Sequence, residues 1–206
     1  MINVLLAGVG GQGTVLAAKV LASAAQARGW QVRTAETIGM AQRGGNVTSH
    51  VRMGSEGEEV FSSLITPGTA DMVIALEPGE AARALPYLAP GGVLVCSITA
   101  IQPVTAALAS QPYRADDVVA ALATALQETE NRPAPLFVPV DDEALVRELG
   151  AGSRKSLNMM LLAVAVAQGR IPLTVAELKS AVQACVKPQF VAMNLEAIDR
   201  AAEAYG

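Results

Sequence analysis

The chain has 206 residues, 51% of them apolar and only 3% aromatic, and a formal net charge of −4. It can bury a full core of Ala, Val, Leu, Ile and Met without disulfides or a structural metal, and with no basic face it is not expected to bind nucleic acid. Its two cysteines, Cys96 and Cys185, lie far apart and outside any Cys-x-x-Cys pair, which argues against a disulfide framework and against a zinc or iron–sulfur site built by this chain alone. The N-terminus Met1-Ile2-Asn3 lacks a basic n-region, so no secretory signal is expected. The longest apolar helical stretch, Leu157 to Ala167, is too short to span a bilayer. A cytoplasmic protein with reduced thiols is the expectation.

In chain order, Asn3 to Ala7 is an apolar run of strand type. Gly8-Val9-Gly10-Gly11-Gln12-Gly13 follows, and Gln12 to Arg28 reads as a helix stopped by Gly29. Trp30 to Glu36 is a second strand, and Thr37 to Gly45 a loop with three glycines. Asn46 to Met53 alternates, with Val47, Ser49, Val51 and Met53 on one face and Asn46, Thr48, His50 and Arg52 on the other. Val60 to Leu64 is placed to pair back as a hairpin after the charged turn Gly54 to Glu59. Ala70 to Leu76 is a buried parallel-type strand, followed by a helix from Pro78 to about Leu88. Pro90-Gly91-Gly92 reads as a turn, Val93 to Ile98 as a strand, Asp116 to Thr129 as a helix, and Leu136 to Val140 as the last strand. Helices then follow at Asp142 to Leu149, Ser153 to Gln168, Thr174 to Val186 and Pro188 to Tyr205, the third opened by the capping box Thr174-x-x-Glu177. Gly150-Ala151-Gly152 is the best hinge candidate but reads as a loop inside one unit. The alternation predicts a three-layer α/β/α domain over residues 1–206, with a largely parallel, Rossmann-like sheet and a helical C-terminal region.

The glycine turn carries the first functional signal. Gly8, Gly10 and Gly13 fit Gly-x-Gly-x-x-Gly between a strand and a helix, and Glu36 lies 23 residues after Gly13. That spacing is compatible with an NAD(P) or FAD fingerprint, the acid holding a ribose hydroxyl. It is also compatible with a tight turn whose helix N-terminus receives some other anion, or with plain close packing. Gln12, in the first helical turn, is a candidate to contact a ligand or partner. The second loop, Gly39-Met40-Ala41-Gln42-Arg43-Gly44-Gly45, belongs on the same sheet edge, where Arg43 offers a forked donor to a carboxylate or phosphate. His50 is the lone histidine and is expected at the surface or an interface rather than on a metal. Cys96 is expected in the core, with Ser97 and Thr99 beyond it able to face the crevice. No catalytic group is assigned, and Asp141, Asp142 and Glu143 read as a helix start.

Gly8-Val9-Gly10-Gly11-Gln12-Gly13 paired with Gly39-Met40-Ala41-Gln42-Arg43-Gly44-Gly45 resembles the γ-type subunit of 2-oxoacid:ferredoxin oxidoreductases. The likeness continues through Asn46-Val47, Ser49-His50-Val51-Arg52, Ala70-Asp71, Leu76-Glu77-Pro78, Asn158 and Asn194, and the freestanding length is most like the indolepyruvate branch. The resemblance implies oxidative decarboxylation of a 2-oxo acid to an acyl-CoA by a complex. Thiamine diphosphate and iron–sulfur clusters would reside in a larger catalytic subunit, with ferredoxin as electron acceptor. It implies that this chain binds no cofactor alone and forms a homodimer in isolation. Gly8, Gly10, Gly11, Gln12, Gly13, Gln42, Arg43 and Gly44 would then face the shared site. An independent nucleotide-binding oxidoreductase and a non-catalytic scaffold remain the alternatives.

Overall fold

The computed structural model describes residues 1–39, 45–101, 113–127, 133–149 and 154–206. Six strands form one sheet: β1 (Ile2–Val9), β2 (Gln31–Ile38), β3 (Asn46–Gly54), β4 (Ala70–Ala75), β5 (Leu88–Ser97) and β6 (Leu136–Val140). Their spatial order is β2-β3-β1-β4-β5-β6. β1, β4, β5 and β6 are mutually parallel, while β3 runs antiparallel to both of its neighbours, β1 and β2. The sheet is therefore mixed, with five of six strands pointing the same way.

The central strands read as unbroken apolar runs because both of their faces are covered. On one face, Val4, Leu6, Met72, Ile74, Val93 and Val95 pack under helices α1 (Thr14–Ala27) and α5 (Leu157–Ala167). α6 (Val175–Cys185) and α7 (Pro188–Tyr205) complete that layer. Ten of the eleven residues of α5 are buried, which explains a helix apolar on every side. On the other face, Leu5, Ala7, Val73, Ala75, Leu94 and Cys96 pack under α2 (Pro78–Ala84) and α3 (Ala115–Ala125). α4 (Asp142–Glu148) starts directly after β6. Among the described residues no helix is long and apolar enough to cross a membrane.

Three expectations need correction. Residues 60–64 form no hairpin, because both edges of β3 are already occupied by β1 and β2. Instead the segment lies over the sheet: Val60 and Ile65 are buried, and Arg52 donates to the carbonyls of Ser62 and Leu64. Pro90-Gly91-Gly92 is not a separate turn but an irregular stretch inside β5, where the register slips between Ala70 and Met72 and Gly91 takes φ +69°. The helix from Pro78 ends at Ala84 and continues as one 3-10 turn, Leu85–Tyr87, since Pro86 has no N–H for an α-helical bond. The Gly150-Ala151-Gly152 hinge lies outside the described residues.

Candidate functional site

The β1–α1 turn is held by its own side chains. Gly11 takes φ +100° and Gly13, the N-cap of α1, φ +82°, where any other residue is strained. A Cβ on Gly13 would also lie 2.5 Å from Nδ2 of Asn158. A Cβ on Gly8 would lie 2.7 Å from Oγ1 of Thr14 and 2.9 Å from Oε1 of Gln12. The carboxamide of Gln12, expected to contact a ligand or partner, is bonded within the chain. Its Oε1 accepts from the Val9 N–H at 2.6 Å, and its Nε2 donates to the Leu76 carbonyl at 2.7 Å. Both ends of the carboxamide are engaged in tying the end of β1 to the end of β4.

The two glycine loops meet. The Gly10 N–H donates to the Gly45 carbonyl at 2.9 Å, and the Gly39 N–H to that of Asn46 at 2.8 Å. Gln42, Arg43 and Gly44 lie outside the described residues. Glu36 does not meet the dinucleotide geometry. It pairs with Ser49 of β3, and Ser49 in turn with Leu6 of β1. An antiparallel strand thus separates the acid from the glycine strand by one extra spacing, putting it two strands or ~10 Å away.

The sequence reading missed the groups that complete this end of the sheet. A cleft of about 470 Å³ is lined by Gly10, Gly11, Gln12, Ile101, Arg154, Lys155 and Leu157. Arg154, Lys155 and Ser156 form a 3-10 turn that leads into α5. Asn158, in the first turn of α5, donates to the Gly13 carbonyl at 3.1 Å, which sets the starts of α1 and α5 side by side. Neither helix has a side-chain cap bond or an acid in its first turn. The hydroxyls at these starts, Thr14 Oγ1 and Ser156 Oγ, are buried without a partner among the described residues. Two positive helix ends with an arginine and a lysine beside them favour an anion.

A buried acid aims the arginine. Asp142 is fully buried at the start of α4. Its Oδ1 accepts from Ser97 Oγ at 2.6 Å and from Thr99 Oγ1 at 2.9 Å. Its Oδ2 lies 2.7 Å from Nε of Arg154. The Nε–H does not point along that contact, so the pair is coulombic rather than a hydrogen bond. Ser97 and Thr99 therefore serve Asp142, and the helix-start reading holds for Asp141, whose carboxylate accepts from the Ala144 N–H at 2.9 Å. The legible signal was Arg-Lys-Ser opening an apolar helix, cations where acids are the rule.

His50 is buried, not at a surface. Its Nδ1 accepts from the Ile65 N–H at 3.2 Å, and its ring meets Tyr87 edge-on at 5.9 Å. Burial holds the imidazole below its ordinary pKa. It lines a smaller pocket of about 180 Å³ with Thr48, Glu80, Arg83 and Tyr87. Burial pushes the Glu80 carboxyl up, and pairing with Arg83 opposes that shift. Cys96 is buried, and burial, with Glu77 and Asp142 nearby, raises its thiol far above the ordinary range. Among the described residues no His, Cys, Asp and Glu group is arranged to hold a metal ion.

Residues 3–204 match the family model described as pyruvate ferredoxin/flavodoxin oxidoreductase. The indolepyruvate oxidoreductase subunit IorB of Archaeoglobus fulgidus is 33% identical over 96% of this chain and 92% of its own. The subunit of the same name from Pyrococcus horikoshii is 32% identical with the same coverage. The fold is similar to the γ subunit of a keto/oxoacid ferredoxin oxidoreductase from Geobacter sulfurreducens, with TM-score 0.68, 21% identity and 98% and 97% of the two chains covered. It is also similar to part of the 2-oxoglutarate:ferredoxin oxidoreductase of Magnetococcus marinus, a structure described with 2-oxoglutarate, coenzyme A and succinyl-CoA bound. There the TM-score is 0.69 at 19% identity, covering all of this chain and 31% of that one. By sequence over nearly its whole length, the chain belongs to the pyruvate ferredoxin/flavodoxin oxidoreductase family.

Proposed function

We propose that this chain is the small, single-domain subunit of a cytoplasmic indolepyruvate-type 2-oxoacid:ferredoxin oxidoreductase. Its glycine cleft forms one wall of a site completed by a larger subunit that carries thiamine diphosphate and iron–sulfur clusters. The complex oxidatively decarboxylates an aryl-type 2-oxo acid, with coenzyme A taking the acyl group and ferredoxin the electrons. The observation that carries this reading is the cleft itself: an anion-favouring wall in a chain whose full-length relatives are IorB subunits.

The donor set fits an anionic group. Arg154, Lys155 and the first N–H groups of α1 would hold a phosphate of coenzyme A or the carboxylate of the 2-oxo acid. When bound, coenzyme A supplies the thiol that accepts the acyl group. Asp142 keeps the Arg154 guanidinium at the cleft, and the joined loops at Gly10 and Gly45 shape its rim. An iron–sulfur cluster does not fit this chain: Cys96 is enclosed in the core between the sheet and its helices. That chemistry falls to the larger subunit.

The test is co-expression with the products of the neighbouring genes, followed by indolepyruvate-dependent viologen reduction at varied coenzyme A. Arg154→Gln is expected to leave assembly intact and to raise KM for one anionic substrate. An assembled complex with unchanged kinetics would assign the cleft to scaffolding. Absence of any complex or 2-oxo-acid activity would overturn the reading.

A further inference from the structure

We propose that β2 is a self-pairing edge through which two copies of this chain join their sheets across a two-fold axis at Ala35. β2 is the last strand of the sheet on its side, and no described strand lies beyond it. It pairs with β3 over all eight residues without a register break. It contains no lysine, proline or bulge, three of the devices by which natural proteins blunt an open edge, and its two charges, Arg33 and Glu36, are of opposite sign. Six of its eight residues are exposed, Ile38 to 66%.

The backbone phase of this edge is fixed. The Gly39 N–H donates to the Asn46 carbonyl, so that pair is hydrogen-bonded across to β3. Along an antiparallel ladder such pairs alternate. Gln31, Arg33, Ala35 and Thr37 therefore turn their backbone groups toward β3, and Val32, Thr34, Glu36 and Ile38 turn theirs outward.

Symmetry and charge then select one register. Residues opposite each other in a sheet share a face, so a two-fold axis perpendicular to it must pass through a residue, not between two. An axis at Glu36 sets two carboxylates face to face, which is unfavourable. An axis at Thr34 leaves Ile38 beyond the strand. An axis at Ala35 sets Val32 against Ile38 of the second copy, Thr34 against Glu36 and Arg33 against Thr37, with Ala35 against itself. No like charges oppose, every outward group is paired in roughly eight new N–H···O bonds, and an exposed isoleucine gains an apolar partner. Val32 already packs against the core under α1, so this contact extends that layer. Phe61, 86% exposed, adds apolar surface beside the edge: its neighbour Val60 is bonded to both Gln31 and Arg33.

Sedimentation of the full chain is expected to give twice the chain mass. Thr34→Pro removes an outward N–H and leaves the β3 ladder untouched, so a folded monomer is expected by sedimentation and circular dichroism. Ala35→Cys, in a Cys185→Ser background, sits in the close, non-hydrogen-bonded pair at the axis, within disulfide reach. It is expected to oxidise to a covalent dimer, whereas Thr34→Cys, opposite Glu36, is not. A wild-type monomer, or a dimer that Ala35→Cys does not cross-link, would overturn the proposal whatever Thr34→Pro does.

Discussion

The helix starts at the C-terminal edge of the sheet are built from similar parts and fall into two opposite states. At α2 the N-cap Glu77 accepts from the Glu80 N–H at 3.0 Å and also receives the Tyr113 hydroxyl, and Glu80 takes Arg83. The acids there satisfy the helix and its own basic residue. At α1 and α5 the helix starts have no acidic cap, and a buried acid, Asp142, pairs with Arg154 instead. An acid in front of a helix closes it. An acid behind an arginine aims that cation at the cleft. The first arrangement is a structural end and the second a receptive one, although both carry a helix, a loop and a buried carboxylate.

The largest break in this contrast comes from Asp142→Ala. It strips the partner from Arg154 and two hydroxyls at once inside the fold, and such losses cost about 3–5 kcal/mol. Urea unfolding should report that loss, and Glu77→Ala should cost less, ~1 kcal/mol, as loss of a cap. Equal losses would erase the distinction. Next is Gly13→Ala, expected to cost ~2 kcal/mol because φ is +82° and the new Cβ meets Asn158. Asn158→Ala in the same chain should relieve the contact and recover part of the loss, leaving the backbone strain. A melting series of both single variants and the double variant checks this; strict additivity would exclude the contact. A smaller stability effect but a sharper functional one is expected of Arg154→Gln. Losing a charge-assisted contact raises KM for the anion roughly tenfold or more, with Lys substitution keeping part of the binding because the charge remains.

The sequence reading reached most of the fold because its signals are local. The apolar runs of β1 and β4, the Thr174–Glu177 box and Pro188 each report on their own neighbourhood, and each stands where it was expected. Strand adjacency is not local. Nothing in Asn46 to Met53 says that the strand inserts between β1 and β2, and that one insertion removed both the 60–64 hairpin and the Glu36 ribose contact. The cleft was half legible. Its glycines announce themselves by spacing, but Arg154 lies 141 residues after Gly13 and is brought there by the Asn158–Gly13 bond. His50 was misplaced because strand alternation puts it on a polar face, whereas the chain crossing at Ile65 and the ring of Tyr87 cover it.

The smallest effect concerns the α2 side, where His50 and Glu80 line one pocket. His50 binds a proton less readily folded than unfolded, because burial disfavours the imidazolium and Nδ1 is already an acceptor. The unfolded chain therefore holds more protons in the interval below about 6.5. Its contribution to stability is complete above that value and declines as pH falls toward the lower folded value. Glu80 acts in the opposite sense: its carboxyl is raised above 4.5, so its contribution is complete below that pH and is lost as pH rises through the folded value. Equilibrium unfolding between pH 5 and 8 should thus show stability falling on the acid side of 6.5 in the wild type. His50→Gln should flatten that slope and leave Glu80's, while Arg154→Gln, in the other region, should leave the slope unchanged. A slope that survives His50→Gln would mean the acid sensitivity belongs elsewhere, and the two faces of the sheet would no longer divide by their titrating groups.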